Sequence, residues 1–209
     1  RECSGEAAPR CVVCILVRRI RAGKAAIMTT SITVPVFYAT TEGHTRRIAE
    51  EIASALREQG MASEATDLAA ASPPIDWLTV QGVVLGASIY AGRHQKVAET
   101  FAKAEARHLA VRPSAFFSVS LSAGSRNPAE VEAARALAKG FVKAAGWEPR
   151  RVECFAGKLA YSRYGFFKRQ LMRFIAWREG APTDVRRDYE FTDWNVSRSD
   201  RKASCRERV

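Results

Sequence analysis

Residues 34–52, VPVFYATTEGHTRRIAEEI, constrain the fold of this 209-residue chain more than any other stretch. The run 34–38 is apolar and reads as a buried strand. Thr40, Thr41, Glu42, Gly43, His44 and Thr45 then make a turn. Beyond it Ile48, Ala49, Ile52, Ala53 and Leu56 recur on one helical face, and Gly60 suits the left-handed position that closes a helix. A strand, a hydroxyl-rich turn and a helix N-terminus together make an anion site, because amide N–H groups and the positive end of the helix dipole point into the turn. Thr40, Thr41 and Thr45 add side-chain donors, and Gly43 permits close backbone approach. The plainer alternative is an ordinary strand–turn–helix with a capping threonine.

The turn carries no Gly-Lys-Ser/Thr, so no lysine reaches a β- or γ-phosphate, and it lacks the G-x-G-x-x-G of dinucleotide folds. Donors without a lysine suit a single terminal phosphate such as that of FMN. The spacing resembles the flavodoxin pattern: an apolar pair, an aromatic, then Thr40, Gly43, Thr45, Ala49 and Ile52.

Later segments alternate in the same way. Residues 64–68 read as a short second strand, and residues 82–88, GVVLGAS, as a central parallel strand apolar on both faces. Ligands of open α/β sheets sit at the carboxyl ends of strands near the switch point. The following loop, with Ser88, Ile89, Tyr90, Ala91 and Gly92, is therefore expected beside the phosphate turn. Tyr90 either stacks on a flat ring there or only packs in a surface loop. His94 and His108 flank a helix whose buried side carries Val97, Phe101 and Leu109. Lone histidines are more often surface residues, and neither is assigned a role. Residues 114–121 form the next strand. Ser120, Leu121, Ser122, Ala123 and Gly124 lead from it into a flexible loop, the third wall of the expected site. Asn127, Pro128 and Glu130 mark a helix start, with Val131, Ala134, Ala138 and Phe141 inside and a close near Gly146. Residues 152–156 supply a fifth strand. Right-handed crossovers then imply an α/β, flavodoxin-like doubly wound sheet of five parallel strands in the order 2-1-3-4-5.

The insert at about 159–183 is not needed by a plain flavodoxin. Phe167, Leu171, Phe174 and Ile175 share a helical stripe flanked by Lys168, Arg169 and Arg173. Such a helix either covers the domain with its charges in water or lies at a membrane surface. Tyr161-Ser162-Arg163-Tyr164, this basic aromatic helix, Gly180-Ala181-Pro182-Thr183-Asp184 and Tyr189-Glu190-Phe191-Thr192-Asp193-Trp194 resemble the menaquinone-dependent protoporphyrinogen IX dehydrogenases. So do Gly86-Ala87-Ser88-Ile89 and Pro113-Ser114-Ala115-Phe116. The resemblance spans about residues 32–194. It implies an FMN-dependent oxidoreductase of heme biosynthesis that takes protoporphyrinogen IX as substrate and menaquinone or another quinone as acceptor. It also implies a cytoplasmic protein held peripherally on the inner face of the cell membrane. Arg163, Tyr164, Lys168, Arg169, Arg173 and Trp177 would then meet substrate propionates or an anionic membrane surface. The rival readings are an NAD(P)H:quinone reductase, for which no nicotinamide motif is visible, and a flavodoxin-type electron carrier, which the basic insert disfavours. No residue stands out as a catalytic acid or base.

The net charge of +11 favours anionic partners: phospholipid, nucleic acid or a carboxylated substrate. Dispersed charge and the lack of a recognition module argue against nucleic acid. Five cysteines, three before residue 15, form no disulfide framework and suit a reducing cytoplasm. Cys11 and Cys14 lack the second pair of a zinc site, so no metal is expected. Met28 stands just ahead of the first strand, and residues 1–27 read as a non-native or disordered extension to a domain at 28–194. Residues 195–209 read as a disordered basic tail where the family has an amphipathic helix. A sheet face left bare beside the first helix would invite pairing with a second copy, unless the 11–20 segment covers it.

Overall fold

A computed structural model describes residue 20, residues 32–70 and 74–159, and residues 189–190; Lys158, Leu159, Tyr189 and Glu190 are described as backbone only. The insert after Leu159, apart from that pair, and the tail lie outside the described residues.

Five strands form the parallel path of the main sheet: β1 (Val36–Ala39), β2 (Ala65–Asp67), β3 (Val83–Tyr90), β4 (Ser114–Ser120) and β5 (Arg151–Ala156). These five are parallel to their neighbours, in the order β2-β1-β3-β4-β5, as the alternation of segments requires, and a sixth, two-residue strand at Arg93–His94 pairs antiparallel with β3 off this path. Among the described residues the strands are accompanied by the helices α1 (His44–Glu58), α2 (Lys96–Ala104), α3 (Ala106–Ala110) and α4 (Pro128–Ala144). The helix expected between His94 and His108 is thus two helices, broken at Glu105. Lys158–Leu159 pairs antiparallel with Tyr189–Glu190, apart from the main sheet.

Successive strand residues point to opposite faces, and this splits the core. Val36 and Tyr38 of β1, Val84 of β3, and Ala115, Phe117 and Val119 of β4 lie with Ile48, Ala49, Ile52, Ala53 and Leu56 of α1. Phe37, Ala39, Leu85, Ala87 and Phe116 lie with Ala98, Ala102, Leu109, Ala138 and Phe141 on the other face. The central strands β3 and β4 are buried on both faces over most of their length, so they carry continuous apolar runs. Phe116 is fully buried and stacks on Phe141 with centroids 4.6 Å apart. Burying a side chain of this size stabilises by about 1.5–3 kcal/mol.

The helix ends follow local chemistry. Asn127 caps α4 by accepting the Ala129 N–H at 3.0 Å, and Pro128 takes the first position. Gly60 and Gly146 leave α1 and α4 with φ of 79° and 65°. In α4 the buried face is Ala134, Ala138, Phe141 and Val142, while Val131 is only half-buried.

Ile20 is 5% exposed and belongs to the α1-side core. Its Cδ1 occupies the space beside Gly82, 2.7 Å from where a Cβ would stand there. One residue of the 1–27 stretch is therefore packed in the core.

Candidate functional site

The carboxyl ends of β1, β3 and β4 lie side by side in the sheet, and each runs into one of the three expected loops. The first is the turn 40–45. Gly43 sits at the N-cap of α1 with φ of 84°, a left-handed conformation that costs other residues about 1–2 kcal/mol. No side chain caps the helix, so the capping-threonine alternative does not describe this turn. Thr40 Oγ1 instead accepts the Gly43 N–H at 2.9 Å, which folds the turn on itself. His44 and Thr45, both buried, begin α1.

Thr45 carries the most informative atom. Its residue is 1% exposed, and its Oγ1 has no hydrogen-bond partner. A buried hydroxyl left unpaired costs about 1–3 kcal/mol. Among the described residues the one other such side-chain atom is a carboxylate oxygen, Glu130 Oε2, which repels rather than binds an anion. Thr45 thus offers an unspent donor at the positive end of a fifteen-residue helix. That donor set fits a phosphate monoester.

The second loop departs from expectation. β3 does not stop at Ser88 but continues to Tyr90, and the chain returns antiparallel at once, with Ile89 opposite His94 and Tyr90 opposite Arg93. Ala91 and Gly92 make the reversal with φ of 49° and 76°. Two positive φ values in a two-residue connection are the type I′ signature, whose twist matches the strands it joins. The loop is therefore a stiff hairpin. Tyr90 stands on it 52% exposed, at the end of the strand next to β1.

The third loop is also more ordered than the sequence suggested. Ser122–Gly124 forms a 3-10 turn. Ser120 Oγ accepts the Ala123 N–H at 3.2 Å, and the Leu121 carbonyl accepts the Gly124 N–H at 2.9 Å. Gly157 donates to the Ser120 carbonyl at 2.8 Å, and a Cβ there would stand only 3.2 Å from the Leu121 nitrogen. The third wall is thus braced from β5.

Two residues without an assigned role prove central. Gln95 Nε2 donates to Thr41 Oγ1 and to Ser88 Oγ, both at 2.7 Å, so one amide joins the turn to the end of β3. His94 is a half-buried residue, not a surface one. Its Nε2 lies 2.9 Å from Ser118 Oγ, and its ring packs on Phe116 and Phe141 with centroids 5.5 and 4.8 Å away. Burial among these rings lowers its pKa to about 4. The Ala91-Gly92 pair, read as a two-residue reversal, would have placed both residues beside β3.

Arg163, Tyr164, Lys168, Arg169, Arg173 and Trp177 lie outside the described residues. Among those described, no helix is long and apolar enough to cross a membrane.

A family model described as "Flavodoxin domain" matches residues 35–186. The protoporphyrinogen IX dehydrogenase [quinone] of Escherichia coli (strain K12) is 34% identical over 160 residues, covering 76% of this chain and 87% of that protein. The protein of the same name from Leishmania major is 32% identical over 164 residues, covering 78% of this chain and 70% of its own. Among solved structures, oxidised Flavodoxin 1 from Bacillus cereus is 19% identical with a TM-score of 0.44, covering 58% of this chain and 82% of that one. The Lactobacillus acidophilus flavoprotein solved with FMN is 15% identical with a TM-score of 0.42, covering 60% and 93%. With its sheet order already that of a doubly wound flavodoxin and a third of the aligned positions identical to these enzymes over most of both chains, this protein belongs to the flavodoxin-domain family of protoporphyrinogen IX dehydrogenases.

Proposed function

We propose that this chain binds FMN with its phosphate on the turn 40–45 and oxidises protoporphyrinogen IX, with a quinone such as menaquinone as acceptor. The observation that carries the phosphate site is the unpaired, buried Thr45 hydroxyl at the start of α1. The relatives' names carry the reaction. When bound, the isoalloxazine ring supplies two-electron chemistry, and the protein supplies binding and access. Thr45 and the turn amides would hold the phosphate. Tyr90 would lie against the ring, and the braced 120–124 turn would close the far side. Substrate oxidation then proceeds in two-electron steps, each returning one quinol.

A menaquinone dissolved in a bilayer must be met at the membrane surface. Arg163, Lys168, Arg169 and Arg173, with Tyr164 and Trp177, are proposed to provide that approach and to pair with the substrate's propionates. Cations near an anionic leaflet contribute roughly 1 kcal/mol each.

Titration of apo-protein with FMN, followed by flavin fluorescence, tests the site. Thr45→Ala removes a charge-assisted hydrogen bond and should weaken binding by about 1.5–3 kcal/mol. Unchanged affinity would remove the phosphate from this turn. FMN-loaded protein should also oxidise the porphyrinogen when given a quinone in anionic vesicles. A protein that binds FMN but leaves the porphyrinogen unoxidised would sink the substrate assignment.

A further inference from the structure

Gln95 occupies the N-cap position of α2, with its backbone carbonyl accepting the Ala98 and Glu99 N–H groups at 3.1 and 3.2 Å. Its side chain does not cap that helix. It reaches across the sheet edge instead and spends both amide hydrogens of Nε2, one on Thr41 Oγ1 and one on Ser88 Oγ. The residue before it, His94, is held to Ser118 of β4. The short return after the Ala91-Gly92 reversal thus fastens to the turn after β1, to the end of β3 and to β4.

The direction of these two bonds matters. A hydroxyl has one proton to donate and two lone pairs. When Gln95 donates to Thr41 and Ser88, each hydroxyl becomes an acceptor toward Gln95 and keeps its own proton for another partner. We propose that Gln95 is a positioning residue of the cofactor site, which holds Thr41 and Ser88 as hydrogen-bond donors toward a bound flavin mononucleotide, Thr41 serving the phosphate. This rests on the FMN reading above and deepens it. It also carries a polarity requirement. A glutamate at position 95 would accept those two protons, reverse both bonds and add a negative charge near the phosphate. A methionine would keep the length and abolish the bonds.

The test uses the full-length apo-protein and two probes, FMN and riboflavin, which differ by the phosphate. Wild type, Gln95→Met, Gln95→Glu, Thr41→Val and the double variant Gln95→Met/Thr41→Val are titrated by flavin fluorescence. Gln95→Met should weaken FMN about tenfold, the value of one hydrogen bond, and riboflavin clearly less. Gln95→Glu should weaken FMN further still. In the Thr41→Val background Gln95→Met should change FMN affinity less than about threefold, because its principal partner has already gone. Thermal melts of the apo-proteins check that the variants fold, and Gln95→Glu, an isostere, preserves the test if the methionine variant does not. Equal losses for both flavins, or fully additive losses in the double variant, would show a general structural part and overturn the proposal. So would wild-type affinity in Gln95→Glu. A wild-type protein that binds neither flavin would defeat the FMN reading itself, and this proposal with it.

Discussion

At the scale of single residues, burial decides what each polar group can do. Thr45 is buried with its hydroxyl unpaired, which leaves that donor for the phosphate proposed above. His94 is half-buried and paired with a serine hydroxyl among aromatic rings, which makes the neutral imidazole the comfortable form. Its pKa is about 4 in the fold, against roughly 6.5 in an unfolded chain. The unfolded state therefore binds more protons between these values. His94 leaves stability intact above about pH 6.5, and erodes it progressively as pH falls toward 4. The loss across that window should be on the order of 2–3 kcal/mol. Urea unfolding of the apo-protein at a series of pH values checks this. His94→Gln should be flatter than the parent between pH 7 and 4. Identical slopes would mean that the ring is already accessible to protons.

At the scale of elements, the short connections do more than join strands. The Ala91-Gly92 reversal returns the chain onto β3 and brings His94 and Gln95 to the site. The central pair of strands depends on one missing side chain. Gly86 of β3 stands in register with Phe117 of β4, and a Cβ at Gly86 would clash with the Phe117 ring, 2.0 Å from its Cζ. Phe117 is fully buried and has nowhere to go. Gly86→Ala should therefore destabilise by about 1–3 kcal/mol through overpacking. Gly86→Ala/Phe117→Leu should recover part of that loss, a coupling that a denaturation cycle measures directly. If the double variant is simply the sum of the two single ones, the ring is not what Gly86 accommodates.

At the scale of the whole molecule, the five parallel strands of the main sheet separate two cores, and the candidate site lies along the edge where three strand ends meet. Ile20, far outside the strand-and-helix alternation in sequence, packs in the α1-side core and fills the space that Gly82 leaves open. Ile20→Ala should cost about 2–4 kcal/mol in urea unfolding, as for other buried isoleucines. Gly82→Ala should be destabilising alone and less so beside Ile20→Ala, where the opposing side chain is gone. Stability unchanged by Ile20→Ala would mean that the residue packs on the core without supporting it.

What the sequence determined by itself was the repeating local chemistry. Apolar runs alternating with helical stripes specify the parallel doubly wound sheet, since crossover handedness and strand burial leave few other arrangements. The threonine-rich turn and the Asn127-Pro128 helix start were legible for the same reason, because each is set by residues close together in the chain. What only the tertiary structure decided depends on residues far apart. That Thr45 is buried without a partner follows from how α1 seats on β1, not from its neighbours in sequence. That Gln95 serves Thr41, 54 positions away, and that His94 meets Ser118, 24 positions away, required the hairpin and the strand order to exist first. A hydrogen bond is directional and short-ranged, so its partner cannot be read until the fold has brought the two groups together.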